Sequence, residues 1–182
     1  MASVLSPNPL AGDVNDRGKR RESVADVGVR DAPGKGKGLF ALRGFVEGEI
    51  ILHADLRSLK RYTLEEIAAD PTIDGDHGHY AGRGKYVIEE GPGAYMNHSC
   101  EPNCVLRKSA ICVYDVAALR DIAAGEELTH DYAASSINQL EGLFYFEEPC
   151  RCGTTGCRGV VHGAFFKLPI ALQRMYYPYL PP

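Results

Sequence analysis

The 182-residue sequence lacks tryptophan, and it has no uncharged apolar run near the roughly 18 residues that a membrane-spanning helix requires. Its first 23 residues contain no cationic segment followed by an apolar one, so a secretory signal is not predicted. The 20 Lys and Arg against 24 Asp and Glu leave no extended basic field, which disfavours duplex nucleic acid as a partner. We therefore expect a soluble intracellular protein that binds neither membranes nor nucleic acid directly.

The distribution of glycine and apolar residues indicates the fold class. Residues 1–26 are polar and interrupted by proline and glycine, so they are expected to form a flexible arm. Short apolar runs with the composition of strands follow. These runs are residues 38–42, 50–52, 86–88 and 111–116. Short helices are expected at the Thr63–Glu66 capping box and after Pro169, so the fold is mainly β with short helices.

Cysteine is absent before residue 100, and three of the six cysteines form one C-x-C-x4-C run, namely Cys150, Cys152 and Cys157. Closely spaced thiolates on a tight loop suit zinc, which takes four soft ligands in a tetrahedron. The fourth ligand must come from elsewhere: Cys100 is the first choice and Cys104 the alternative. The other interpretation is a set of spectator thiols or a disulfide pair, but an intracellular setting disfavours a stable disulfide.

Three further segments precede the cysteine run. They are K-G-K-G-L-F-A at 35–41, Y-M-N-H-S-C-E-P-N-C at 95–104 and A-G-E-E-L-T-H-D-Y at 124–132. The first is a weak signal alone, because most alternating glycines form turns. In this order, and followed by the cysteine run, the segments closely resemble the SET domain and post-SET zinc loop of protein lysine methyltransferases. The resemblance covers residues 27–159.

The resemblance implies a fold and two ligands. The fold would be small curved β-sheets around a pseudoknot-like crossing, in which the segments of Asn97 and Tyr132 pass one another. S-adenosylmethionine would bind on one face, and the target lysine would enter from the opposite face through a narrow channel. A C-terminal loop that holds Zn²⁺ would complete both pockets.

The resemblance also implies a role for individual residues. The catalytic residue would be Tyr132, and the substrate channel would be lined by Tyr86 and His130. The Tyr86 ring could instead belong to the core, because its segment has the composition of a strand. The implied cofactor-binding residues are Lys37, Gly38, Leu39, Tyr80, Asn97 and His98, the first three through their backbone. The implied zinc ligands are Cys100, Cys150, Cys152 and Cys157.

The chemistry of methyl transfer is consistent with these roles. Transfer from a sulfonium to an amine is an in-line displacement, so alignment and exclusion of water are the main tasks. Lysine has an unperturbed pKa of about 10.4, which desolvation beside a positive sulfonium lowers. The Tyr132 hydroxyl would orient the amine, and no strong general base is required. Asn97 and Tyr132 could each be ordinary structural groups, but their motifs favour functional roles.

Some residues depart from the family pattern or are expected to be inert. His130 stands where the family usually has Phe or Tyr, two residues before the tyrosine, so the number of methyl groups transferred is open. Glu126 and Glu127 are expected at a turn or a solvated face rather than as an acid–base pair. The remaining histidines have no metal-like grouping and are expected at the surface. They are His53, His77, His79 and His162.

The predicted organisation is an arm at 1–26, a SET domain at 27–133, a linker and zinc loop at 134–163, and a C-terminal helix and tail at 164–182 that pack on the domain. The predicted function is lysine methylation of a basic protein, a histone tail being the first candidate. An acidic stretch at 70–76 would suit such a substrate. The compartment would be the nucleus in a eukaryote and the cytoplasm in a bacterium. The rival hypothesis is a catalytically silent SET-like module that keeps the zinc and only binds a peptide.

Overall fold

The computed structural model describes residues 24–135 and 147–180, and within them twelve strands form four small sheets. The described part is mainly β with short helices, as the sequence predicts. Of the predicted N-terminal arm, residues 1–23 lie outside the described residues, and Val24–Asp26 form a short 3-10 helix. Residues 136–146 of the predicted linker and the last two residues of the tail also lie outside them.

The largest sheet has four strands in the order β1-β2-β10-β7. Its strands are β1 (Val27–Ala32), β2 (Gly36–Ala41), β7 (Asn97–His98) and β10 (Glu127–His130). A three-stranded sheet has the order β3-β9-β8. Its strands are β3 (Ile50–Asp55), β8 (Cys104–Ala110) and β9 (Val113–Ala118). Most neighbouring strands are antiparallel, but β7 and β10 are parallel.

Two smaller sheets complete the β structure of the described residues. One has the order β4-β6-β5 and the other pairs β11 with β12. Their strands are β4 (Arg61–Tyr62), β5 (Gly78–Gly82), β6 (Lys85–Ile88), β11 (Glu147–Pro149) and β12 (Val160–His162). The second pair flanks the cysteine run of residues 150–157, so the predicted zinc loop is a hairpin with the cysteines at its end.

The core lies on both faces of the β3-β9-β8 sheet. Alternate residues of β9 point to opposite faces: Tyr114 and Val116 belong to a large apolar cluster, whereas Ala117 belongs to a smaller one. The strand is therefore buried along its whole length, which explains its nearly continuous apolar sequence. The smaller cluster includes Phe165 and Tyr176, so the chain after the zinc loop packs beneath this sheet.

The prediction of a strand over residues 111–116 is wrong in its first two residues. β9 begins at Val113, and Ile111 and Cys112 form the turn of the β8–β9 hairpin. Cys112 adopts a φ of 61°, a left-handed conformation that reverses the chain and that a strand residue does not have. The turn is not predicted from the sequence because its two residues are apolar, as strand residues often are.

The helices are short. They are α1 (Leu64–Ala69), α2 (Tyr132–Ser135) and α3 (Ile170–Tyr176), together with 3-10 turns at Gly75–His77, Pro92–Tyr95, Phe165–Lys167 and Tyr177–Tyr179. The capping box predicted for α1 is present: the Thr63 hydroxyl accepts from the Glu66 amide, and the Glu66 carboxylate accepts from the Thr63 amide. None of the helices in the described residues is long and apolar enough to cross a membrane.

The apolar face of α3 differs from the sequence pattern. Ile170 and Met175 are exposed, and Tyr176 is the fully buried residue of this helix. Tyr179 packs against the smaller cluster, whereas Tyr177 is 75% exposed. The C-terminal segment is therefore anchored by Phe165, Leu168 and Tyr176, which are all buried. The Tyr176 hydroxyl also reaches a buried carboxylate described below.

Candidate functional site

The site is built where β7 and β10 run side by side. Asn97 pairs with Thr129 and His98 with His130, in parallel register. The Ser99 amide then donates to the His130 carbonyl over 3.0 Å, which continues the pairing by one residue. Parallel pairing of two segments thirty residues apart brings the N-H-S-C and D-Y motifs together, at the position where the sequence resemblance implies a crossing.

The Asn103 side chain also holds β10 in place at this crossing, through hydrogen bonds to the β10 backbone. Its side-chain amide donates to the Glu127 carbonyl (2.8 Å), and its oxygen accepts from the Thr129 amide (2.9 Å). The side chain thus satisfies the backbone of β10 as a neighbouring strand would, and it is buried. Since both of its polar groups are used, the second asparagine of the N-H-S-C-E-P-N motif has a structural role.

Tyr132 is held at both ends. Its amide donates to Nδ1 of His98 over 3.3 Å, and its hydroxyl donates to the Met96 carbonyl over 3.2 Å. The ring also meets the His98 ring edge to face, with centroids 5.3 Å apart. Burial raises the pKa of Tyr132, so the phenol stays neutral near pH 7. With its proton directed at Met96, the oxygen presents lone pairs to an N–H donor.

His98 is a neutral imidazole that uses both nitrogens. Nδ1 accepts from the Tyr132 amide, so the proton is on Nε2, which lies 3.4 Å from the Cys100 sulfur. Burial lowers the pKa of His98 to about 4, although the nearby Asp131 carboxylate acts in the opposite direction. The ring is therefore a fixed bridge between the tyrosine segment and a cysteine of the predicted zinc site, and not a proton carrier at pH 7.

His130 lies next to Tyr132, with ring centroids 5.0 Å apart. Its Nδ1 atom is buried and has no hydrogen-bond partner among the described residues. Burial lowers the pKa of His130 to about 3, and the neighbouring basic groups His98, His79 and Lys108 act in the same direction. The imidazole is therefore neutral, and it places one polar atom in the wall beside the tyrosine.

Replacing His130 with phenylalanine is expected to make stability less sensitive to acid. The folded-state pKa lies below the unfolded value of about 6.5, so the unfolded chain binds the proton more tightly and His130 costs stability as pH falls below about 6.5. His130→Phe removes that cost and a buried unpaired polar atom, which is worth about 1 kcal/mol at pH 7. Urea unfolding of both proteins at saturating zinc between pH 5 and 8 measures this, and parallel curves would contradict it.

The glycine-rich strand β2 packs against Asn97. The Asn97 amide donates to the Lys37 carbonyl (2.8 Å) and to Oε1 of Glu127 (2.7 Å). A Cβ on Gly38 would lie 2.8 Å from that carboxylate oxygen and 3.1 Å from the Asn97 amide nitrogen. A side chain at this position would displace the ends of the Glu127 and Asn97 side chains, so glycine preserves the hydrogen bond between them. Leu39 is fully buried in the core, so a ligand could reach only its backbone.

An ion pair joins the turn before β2 to β10. The Lys35 ammonium binds the Glu127 carboxylate, both partly buried, while Lys37 pairs on the exposed side with Asp31 (2.6 Å). A cleft of about 210 Å³ opens beside this pair. Its lining includes Lys35, His98, Glu127, Cys152 and Thr154. The cleft thus lies between Lys35, the crossing and the cysteine loop, and His98 is the one implied cofactor residue in its lining.

Tyr80 and Tyr86 lie on another sheet. They face each other across β5 and β6, with ring centroids 5.5 Å apart. Tyr86 is buried, and burial raises its pKa, whereas Tyr80 is 38% exposed. The cofactor role of Tyr80 and the channel role of Tyr86 stay predictions.

The four cysteines Cys100, Cys150, Cys152 and Cys157 come together. Their sulfurs all lie within 4.8 Å of one another, and those of Cys100 and Cys150 are 3.7 Å apart. A tetrahedral zinc with Zn–S bonds of about 2.3 Å needs sulfurs about 3.8 Å apart, so these residues fit the metal. The competing ligand Cys104 is instead fully buried in the large apolar cluster, where burial raises its pKa to about 12.

Polar donors surround the sulfurs as a thiolate cluster requires. The amides of Arg158 and Gly159 donate to Cys100 and Cys157, over 3.3 and 3.4 Å. Burial raises the pKa of Cys152, but the Thr154 hydroxyl at 3.2 Å and backbone amides lower it overall to about 6. Such donors stabilise negative sulfur and orient the ligands of a metal.

Sequence reasoning missed one member of the site. Glu126 behaves as predicted, since it accepts from the Ala123 amide and pairs with Arg120 at a turn. Glu127 does not, because its carboxylate binds both Lys35 and Asn97. Its partners are 92 and 30 residues away in the chain, so no local pattern indicates the contact.

Comparisons with known proteins agree with this geometry. The family model of the SET domain matches residues 36–133. Histone-lysine N-methyltransferase ash1 of Drosophila melanogaster is 46% identical over 72 residues, which are 38% of this chain and 3% of that protein. Histone-lysine N-methyltransferase ASHH2 of Arabidopsis thaliana is 31% identical over 139 residues, which are 71% of this chain and 8% of that protein. The matched segments are thus small parts of much longer relatives.

A solved structure shares the fold. The methyltransferase domain of human Histone-lysine N-methyltransferase SETMAR superposes with a TM-score of 0.52 at 22% sequence identity. The match covers 74% of this chain and 57% of that chain.

Proposed function

The chain belongs to the SET-domain family, and from this premise we propose that it is a protein-lysine N-methyltransferase that uses S-adenosylmethionine. The observation that carries the proposal is the double fixation of Tyr132, by the Met96 carbonyl at its hydroxyl and by His98 at its amide. A tyrosine held at both ends beside a neutral, partly polar wall is suited to orient an amine.

The cofactor supplies a methyl group on a positively charged sulfur. We propose that the backbone of Lys37, Gly38 and Leu39, with Asn97 and His98, holds it where β2 lies beside the crossing. Of these residues, His98 also lines the cleft that the cysteine loop borders. Gly38 supports this assignment, because a side chain there would displace Asn97 or Glu127 and so move one of the residues proposed to hold the cofactor.

The protein's own task is to present a neutral amine in line with that methyl group. Tyr132 accepts a hydrogen bond from the amine while it donates its own proton to the Met96 carbonyl in a hydrogen bond, which fixes the direction of the nitrogen lone pair. His98 and His130 are neutral at pH 7, so neither repels a cationic lysine as it enters. Desolvation in the channel lowers the lysine pKa toward the neutral form.

We propose a basic protein segment, first a histone tail, as the substrate, and the nucleus as the compartment. The relatives named above are histone-lysine methyltransferases by name. The exposed carboxylates of Asp74 and Asp76 offer complementary charge to such a segment. Asp74 precedes the turn Gly75–His77 and Asp76 lies within it. The His77 ring contacts that of Tyr95, the residue before Met96, whose carbonyl accepts from the Tyr132 hydroxyl.

We assign the catalytic unit to residues 27–133, the metal loop to 134–163 and the packing tail to 164–182. The silent-module alternative is not favoured, because the glycine strand, the Asn97–His98 pair and Tyr132 are all present and meet at one crossing. Zinc, when bound, would cross-link Cys100 to the C-terminal loop and so close the cleft from that side.

The test is incubation of the zinc-loaded protein with labelled S-adenosylmethionine, core histones and a cell lysate. Transfer of label to lysine, mapped by mass spectrometry, is expected, and the same spectra give the target and the number of methyl groups. If titration shows cofactor binding but no histone or lysate protein is labelled, methyl transfer as the function is wrong.

Replacing Gly38 with alanine is expected to weaken S-adenosylmethionine binding by about tenfold or more, because the added carbon displaces Asn97 or Glu127. Isothermal titration measures the dissociation constant. Gly44→Ala is the matched control, since a Cβ there meets nothing closer than the Ile122 carbonyl at 3.6 Å. Equal affinities of the two variants would contradict the assignment of β2 to the cofactor.

A further inference from the structure

We infer that Arg158 is a positioning residue for the methyl transfer, because it ties the cysteine loop to the backbone that carries Tyr132. The inference rests on the proposed function and adds to it a mechanical link between two parts of the site. The link is a buried ion pair between Arg158, the residue after Cys157, and Asp131, the residue before Tyr132.

Arg158 contacts both the zinc-site cysteine Cys100 and the carboxylate of Asp131. Its amide donates to the Cys100 sulfur over 3.3 Å, and its Nη2 donates to Oδ1 of Asp131 over 2.8 Å. The side chain of Asp131 is 0% exposed and that of Arg158 is 15% exposed. Water therefore screens the pair weakly, and the direction of the Arg158 side chain depends on the loop that the cysteines order.

Asp131 transmits this position to the tyrosine. The same oxygen that binds Arg158 also accepts from the Ala133 amide over 3.1 Å, so the carboxylate binds the backbone on the far side of Tyr132. Its other oxygen accepts from the Tyr176 hydroxyl over 3.3 Å, which anchors it to α3. The backbone of Tyr132 is thus enclosed by one carboxylate, and the charge of that carboxylate is balanced by Arg158.

The guanidinium of Arg158 donates a side-chain hydrogen bond to Asp131. Its Nε and Nη1 atoms are buried and have no hydrogen-bond partner among the described residues. Asp131 is therefore the partner that stabilises the buried guanidinium, and loss of either group leaves the other charge uncompensated. Disorder in the cysteine loop would remove Arg158 from Asp131 and so loosen the backbone that carries Tyr132.

The link predicts two effects of breaking it. Arg158→Gln is expected to lower kcat by about 10- to 100-fold with little change in the KM for S-adenosylmethionine, because alignment and not cofactor binding is lost. Arg158→Lys should recover part of kcat, since it keeps the charge but not the planar fork. Asp131→Asn, although not a metal ligand, should weaken zinc binding by about tenfold, because the strand no longer holds the loop.

The experiment combines steady-state kinetics with zinc competition against a chromophoric chelator. Arg43→Gln is the matched control, since Arg43 also pairs with two carboxylates, Asp26 and Glu49, but at the surface. It should change neither kcat nor zinc affinity. Unchanged zinc affinity in Asp131→Asn, or a KM effect as large as the kcat effect in Arg158→Gln, would overturn the inference. If the wild-type protein transfers no methyl group, the proposed function fails, while the zinc measurement still decides the link.

Discussion

Tyr132→Phe is expected to lower kcat for methyl transfer by about 100-fold or more and to leave S-adenosylmethionine binding nearly unchanged. The hydroxyl donates to the Met96 carbonyl and offers its lone pairs to the substrate amine, so its removal deletes the group that directs the nitrogen. The backbone contact to His98 and the edge-to-face packing of the two rings survive in the variant. Single-turnover kinetics at saturating cofactor and peptide separate this loss from binding.

The control for this variant is Tyr177→Phe. Tyr177 is 75% exposed and follows α3, so the same deletion of a hydroxyl there should leave kcat and stability as they are. Equal rates for Tyr132→Phe and the wild type would mean that the phenol is a structural group, and the amine would then need another orienting residue.

Replacing Cys100 with serine is expected to weaken zinc binding by more than about 100-fold and to abolish cooperative folding of the cysteine loop, because a structural zinc site contributes about 10–16 kcal/mol in small zinc-binding peptides. Cys100 is the one ligand of the four that lies outside the loop, in the N-H-S-C segment. Its loss therefore detaches the loop from the crossing. Zinc content by atomic emission and thermal unfolding with and without chelator measure both effects.

Cys104→Ser is the matched control for that variant. Cys104 is fully buried in the apolar core and is not one of the four clustered cysteines. The serine variant should therefore have a lower free energy of unfolding but still bind zinc. A burial cost of about 1–3 kcal/mol is expected for its hydroxyl. Loss of zinc from Cys104→Ser with retention in Cys100→Ser would reverse the assignment of the fourth ligand.

Contiguous motifs made much of the fold and site predictable from sequence. The capping box of α1 was readable because its two partners are three residues apart. Three of the zinc ligands are predictable because their close spacing in the cysteine run is a local feature of the sequence. The sequence alone leaves Cys104 as the alternative to Cys100, and the structure decides between them by bringing Cys100 to the cluster beside the end of β7.

The contacts that sequence reasoning missed join residues far apart in the chain. Glu127 binds Lys35, and Asp131 binds Arg158 and Tyr176, and none of these pairs has a local spacing. Their existence depends on which strands become neighbours, which composition and periodicity do not specify.

Histidine burial was misjudged for the same reason. The expectation of a surface position is wrong for His162, which is buried at the end of β12. His79 is partly buried and lies 2.8 Å from the carboxylate of Glu89, which also accepts from the Tyr114 hydroxyl. A buried histidine is stabilised by hydrogen-bond partners that are distant in the sequence, so its burial cannot be predicted before those partners are known.

The central claim is that the Tyr132 hydroxyl meets the substrate amine at the crossing of β7 and β10. A crystal structure of the zinc-loaded protein with S-adenosylhomocysteine and a lysine peptide tests it most directly. The account predicts the lysine nitrogen within about 2.6–3.2 Å of the phenol oxygen. A lysine bound elsewhere, or a phenol turned away from it, would contradict the account.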